Sequence, residues 1–256
     1  MILILALTLA MFIGLMAGYR FLMKTFFIAG FFGLGPLLLL VNAGRLDLQP
    51  FTWAKVFTLA ASIGVIFILP GVEGKARRVL ARVVTAIVVL NILEAVVADA
   101  FKGLWINAIV GASLIATMAG SSKVGVKKTG TRLGLTYDLP WPWLLAYTLW
   151  NFTVVCGLYP EHYFDHCAVL AAPIAAVLIA RDHRVWLEAR AFTLSVYAIS
   201  IVLTIDVFNL PWIPSAPAPG AAYPYFSAAA AGLALWNLVT RFRPATRTGA
   251  DANATA

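Results

Sequence analysis

Two polar residues three positions apart, Asn91 and Glu94, sit in the apolar run VVTAIVVLNILEAVVADAF, and a third, Asn151, sits in LLAYTLWNF. Residues three apart on a helix occupy neighbouring faces. At about 1.5 Å per residue, Glu94 lies about 16 Å along from Val83 and Asn151 about 15 Å along from Trp141. Both then fall near the middle of a hydrocarbon core about 30 Å thick. A carboxylate at that depth is costly, so it faces other helices and has a partner or a task. The chemistry such a set supports is acid–base: Glu94 as proton donor or acceptor, with Asn91 and Asn151 orienting the reacting groups. The structural alternative is a set of interhelical bridges around a hydrogen-bonded or protonated glutamate.

A second set is Glu161, His162, Asp165 and His166, packed into a short connection after Pro160. His162 and His166 have the i, i+4 spacing of two metal ligands on a helix. A metal centre needs three or four ligands, and the remaining histidine, His183, belongs to a loop on the opposite side of the membrane. No metal is therefore expected. His162 alone could handle protons in the neutral range. The bland reading is a solvated loop, with Asp165 capping the helix that follows.

The third set begins at Trp186, Glu188 and Arg190. Interfacial anchoring with loop salt bridges explains these residues most simply. The alternative gives Arg190 an anionic headgroup or a partner carboxylate to hold. Arg190, Thr193, Tyr197, Ser200 and Thr204 are spaced by three and four, so they form one polar stripe that should face neighbouring helices or a wet cavity. Asn91, Glu94, Tyr147 and Asn151 are expected to converge inside the bundle near Thr193, Tyr197 or Ser200. Tyr147, Trp150, Arg190, Thr193, Tyr197 and Ser200 are the expected ligand contacts.

The elements that must position these residues are apolar helices. The 256-residue chain is 62% hydrophobic and 12% charged, against about 25% charged in soluble domains. Apolar segments run over 2–19, 25–43, 52–70, 79–101, 103–119, 141–159, 166–180, 186–209 and 221–240. The expected fold is all-α: one polytopic transmembrane bundle of about nine spans, eight being possible because the fifth and seventh segments are short. Residues 1–247 form that single domain and 248–256 a disordered polar tail. With the N-terminus outside, 16 of the 19 Lys and Arg residues fall on the inner side and three outside. That asymmetry orients the C-terminus to the cytoplasm. It also explains the net charge of +8 without nucleic acid as a partner. The expected partners are the lipid bilayer and a hydrophobic small molecule. Walker, Gly-x-Ser-x-Gly, His-Glu-x-x-His and paired Cys-x-x-Cys motifs are absent, and no cofactor is expected. Cys156 and Cys167 approach the outer surface on two arms of one hairpin, either as a disulfide or as two buried thiols.

NILEAV at 91–96, LLAYTLWNF at 144–152, PEH at 160–162 and WLEARAFTL at 186–194 occur in an order and spacing that resembles DUF5692, a bacterial integral-membrane family of unknown function. The resemblance spans about residues 80–200. Asn-Ile-Leu-Glu and Tyr-x-x-Trp-Asn-Phe are its most specific parts. It includes His162, preceded by an acid, and does not extend to Asp165, His166 and Cys167. It implies a bacterial inner-membrane location and no particular activity. The reading that joins these observations is binding or acid–base conversion of a hydrophobic or lipid-like molecule in an outward-opening pocket at mid-membrane. A proton-coupled transporter or an accessory subunit is the alternative.

Overall fold

The computed structural model describes residues 2–19, 50–129, 132–158, 163–204 and 222–242. The apolar segment 25–43, Glu161 and His162, the Pro-rich connection after Asn209 and the polar tail lie outside the described residues. Eight α-helices are described: α1 Ile2–Ala17, α2 Pro50–Ile68, α3 Gly74–Phe101, α4 Trp105–Thr117, α5 Trp141–Leu158, α6 Tyr163–Ala180, α7 Trp186–Val202 and α8 Ala222–Phe242. Three helical stretches, Gly74–Phe101, Tyr163–Ala180 and His183–Val202, are long and apolar enough to cross a membrane.

Local chemistry sets the helix ends. α3 begins at Gly74, where φ is +59°, and Arg77 turns its Nε back onto the Val72 carbonyl at 2.8 Å. It ends at Phe101, and Gly103, two residues on, has φ +75°. There the Gly103 N–H reaches the Ala100 carbonyl at 3.0 Å and the Leu104 N–H reaches the Asp99 carbonyl at 2.8 Å. This paired closure is a Schellman cap, and it favours glycine because the left-handed position penalises a Cβ. The cap places Asp99 in the last turn of α3 and sends the chain directly into α4.

The bundle is held by large side chains. Trp143, Trp150, Ile92, Leu114 and Ile199 are nearly or fully buried in one core, to which every helix from α2 to α8 contributes. Leu15 of α1 joins Val169, Ala172 and Tyr197 in a second, smaller core. Gly111 permits the closest approach. A Cβ there would lie 2.4 Å from Val96 Cγ2 and 2.7 Å from Trp150 Cζ2. The outward faces stay apolar: Ile2, Ile106, Ile109 and Leu178 are each more than 60% exposed.

The expectation of an all-α fold needs one correction. Between α4 and α5 the chain forms an antiparallel hairpin, β1 Val124–Thr129 with β2 Arg132–Tyr137, in the register Val124↔Tyr137 through Thr129↔Arg132. Strand periodicity explains it, because Leu133, Leu135 and Tyr137 fall on one face. Leu135 and Tyr137 are 1% and 0% exposed, so the hairpin is packed onto the bundle. The Tyr137 hydroxyl donates to the Ala119 carbonyl.

Candidate functional site

The polar stripe of α7 faces α5 and α6. Arg190, Thr193 and Tyr197 are all buried. Arg190 and Thr193 share a partner on α6 that exists because of Pro173. A proline has no N–H, so the carbonyl four residues earlier loses its helical donor. That carbonyl belongs to Val169, within α6. Arg190 Nη1 donates to it at 3.5 Å and Thr193 Oγ1 at 3.4 Å. Arg190 Nη2 reaches Asn151 Oδ1 of α5 at 3.4 Å, while the Asn151 amide nitrogen donates to the Tyr147 carbonyl at 2.8 Å. Two helical turns along α7, the Tyr197 hydroxyl donates to Asp165 Oδ2 at 3.4 Å and lies 3.5 Å from His166 Nδ1. A polar seam therefore lies along α7 in two bonded groups, Asp165, His166 and Tyr197 at one level and Thr193, Arg190 and Asn151 at the other.

Arg190 is the least satisfied member of the seam. Its side chain sits in a residue only 7% exposed, its two bonds go to neutral acceptors, and Nε has no partner. Among the described residues no carboxylate forms an ion pair with it. A buried guanidinium in that state bears a desolvation cost that its neighbours only partly offset.

The other expected residues separate into groups. Asn91 and Glu94 are half-buried on α3, and among the described residues no hydrogen bond joins either of them to Tyr147 or Asn151. Tyr147 and Trp150 are deep packing residues. Tyr147 stacks on Trp143 with ring centroids 5.3 Å apart and meets Trp186 edge-on at 5.0 Å. Trp150 Nε1 donates to the Asn107 carbonyl at 2.9 Å. Trp186 is 2% exposed within this aromatic group, so it is a core residue and not the interfacial anchor expected. Tryptophan fits there because α5 offers faces at Trp143 and Tyr147 that an indole edge can cover. Ser200 is half-buried and His162 lies outside the described residues. Asp165 turns to Tyr197 from the first turn of α6. Cys156 and Cys167 are free thiols.

Two features were not expected. The first is the role of Glu188, expected in a loop salt bridge: it is 2% exposed, its Oε2 accepts the Leu135 backbone N–H at 2.6 Å and its Oε1 accepts the Tyr19 hydroxyl at 3.3 Å. Gly134 leaves room for it, since a Cβ there would lie 3.0 Å from Oε2. Glu188 thus ties the hairpin to α7. The α6–α7 connection holds the hairpin from outside: Lys127 pairs with Asp182 at 2.6 Å and His183 Nε2 hydrogen-bonds Asp138, just past β2, at 3.0 Å, while Arg184 grips Asp182 within the connection at 2.9 Å. Hydrogen bonds from Arg184, then from Lys127, hold the Asp182 carboxyl far below the usual carboxylate range. The His183 hydrogen bond lowers Asp138 in the same way. The second feature is a buried set on α3, α4 and α5 formed by Asp99, Asn107 and Thr153. Its sequence signal was Asp99 and Asn107 placed on either side of the Lys102–Gly103 break.

The fold and seam define a mostly helical protein with several helices suited to a membrane and a charged, buried polar seam between three of them. Residues 39–216 match the sequence profile of DUF5692, described as a family of unknown function, and the chain belongs to that family. No curated protein and no solved structure matches the chain.

Proposed function

We propose that this chain is a multi-pass membrane protein that binds a hydrophobic or lipid-like small molecule by an anionic head, at Arg190. The observation that carries the reading is the Arg190 guanidinium, buried, bonded only to neutral acceptors and with Nε unpartnered. An anionic head would offset its desolvation, and the planar guanidinium fork suits a carboxylate or phosphate. Charged residues inside membrane helices mark ligand or ion pathways by default. The apolar exterior, with Ile2, Ile106 and Ile109 exposed, supports the bilayer as solvent. In this reading the pocket opens outward past Asp165 and His166, at the N-terminus of α6, with Thr193, Tyr197 and Ser200 along its wall. Glu94, with Asn91 beside it, remains the acid–base candidate if the bound molecule is converted, and His162 a second. The orientation is N-terminus outside and C-terminus cytoplasmic, in a bacterial inner membrane.

Polar groups at successive levels of α7, from Arg190 to Tyr197, favour a second reading, a proton-coupled transporter of the same molecule. The test is mass spectrometry of the purified protein, extracted gently and washed. Wild type should carry an acidic amphiphile at near-stoichiometric load, Arg190→Lys should carry less, and Arg190→Gln should carry none while eluting as a folded particle. An equal load in Arg190→Gln removes Arg190 from the site. A C-terminal reporter active only outside the cytoplasm would overturn the orientation.

A further inference from the structure

We infer that the buried oxygen cluster of Asp99, Asn107 and Thr153 is a binding site for a small monovalent cation, Na+. This inference stands on its own observations and does not need the Arg190 reading. Asp99, Asn107 and Thr153 are each 0% exposed. Asp99 Oδ2 accepts the Asn107 amide at 2.5 Å, and Asp99 Oδ1 has no partner. Thr153 Oγ1 contacts two acceptors, Asn107 Oδ1 and, at 2.6 Å, the Trp150 carbonyl. A hydroxyl carries a single hydrogen and can satisfy only one of them. The cluster is therefore short of hydrogens and rich in oxygen: a carboxylate, an amide oxygen, a hydroxyl and a backbone carbonyl meet with fewer donors than acceptors.

The backbone adds to the imbalance. Asp99 lies in the last turn of α3, where the helix presents the negative end of its dipole, which favours a cation and disfavours a bare carboxylate. Lys102, three residues on, acts on it only from a distance. Its Nζ turns to the Gly157 carbonyl at 3.4 Å in an exposed position and forms no ion pair with Asp99. A buried carboxylate with no direct ion pair and an orphaned oxygen is the arrangement a bound cation would complete.

The donor set selects the ion. All the ligands are oxygen, which disfavours zinc and copper. One carboxylate supplies one charge. Calcium sites gather six to eight oxygens with more carboxylates, and magnesium keeps several waters, for which a fully buried cluster has little space. A hard monovalent ion matches both the charge and the ligands, and of the two common ones Na+ is the smaller and asks less room of a fully buried cluster. Bound there, it would clamp the α3–α4 turn to α5 at Thr153, two residues from Asn151.

The test is thermal unfolding of the full-length protein in detergent, followed by tryptophan fluorescence, in NaCl, KCl or choline chloride at constant ionic strength. Wild type should show a saturable rise of about 3–6 °C in Na+ at tenfold over half-saturation, with a smaller rise in K+. Asp99→Asn should lose the response. Thr153→Val keeps the volume, and it should raise the half-saturating Na+ concentration at least tenfold. If Asp99→Asn does not fold, Thr153→Val decides. Equal unfolding temperatures of wild type in Na+ and choline overturn the inference and are the result of a carboxyl that merely carries a proton. A Na+ response unchanged in either folded variant overturns it equally.

Discussion

Removing the Glu188 carboxylate tests how the hairpin is attached to the bundle. Oε2 accepts the Leu135 N–H at 2.6 Å, and Leu135 is 1% exposed. A hydrogen bond to a charged acceptor contributes roughly 1.5–3 kcal/mol, and a buried donor left without an acceptor costs a further ~1–3 kcal/mol. Partial relaxation makes the two overlap, so Glu188→Ala should cost about 3 kcal/mol locally. Glu188→Gln keeps an oxygen acceptor and loses only the charge, a cost of about 1 kcal/mol. The assay is amide hydrogen exchange at Leu135, which reports local opening in free-energy units. At about 1.4 kcal/mol per tenfold, exchange should accelerate roughly 100-fold in Glu188→Ala and about fivefold in Glu188→Gln. Amides in the middle of α3, far from the hairpin, should change little. Unchanged protection at Leu135 in Glu188→Ala would refute the reasoning, because the hairpin would then be held without this bond.

Three other outcomes follow from the packing and ion pairs. Asp182 has its carboxyl held below the ordinary range by Arg184 and Lys127, so its contribution is present above about pH 4 and is lost as pH falls further. Lys127 and Arg184 are 45% and 46% exposed, which limits that contribution to about 1 kcal/mol; the gap in unfolding temperature between wild type and Asp182→Asn should be largest at pH 7 and smaller at pH 3, and a constant difference would count against it. Gly111→Ala places a methyl 2.4 Å from Val96 and should destabilise by ~1–3 kcal/mol through overpacking, so an unfolding temperature equal to wild type would contradict the close approach. Cys156 and Cys167 are free, so maleimide labelling of denatured, unreduced protein should find both thiols; finding neither would mean that they are bridged.

Much of the helical framework was legible in the sequence. Long apolar runs can satisfy their backbone polar groups only locally, and the breaks between them carry their own signals, as at Lys102–Gly103, where glycine closes α3. The α7 stripe was also legible, because residues spaced by three and four must share a face, and Arg190, Thr193 and Tyr197 do. What the stripe faces was decided only in three dimensions. The Val169 carbonyl that receives Arg190 and Thr193 is open because Pro173 lacks an N–H. Periodicity alone could not couple that local defect on α6 to a cation on α7. The Asp99–Asn107–Thr153 cluster and the Glu188–Leu135 bond join residues from 8 to 53 positions apart. The sequence determined which residues each helix or strand could turn to one face. Tertiary packing decided which faces meet, because hydrogen-bond satisfaction of a buried group depends on neighbours that its own segment does not contain.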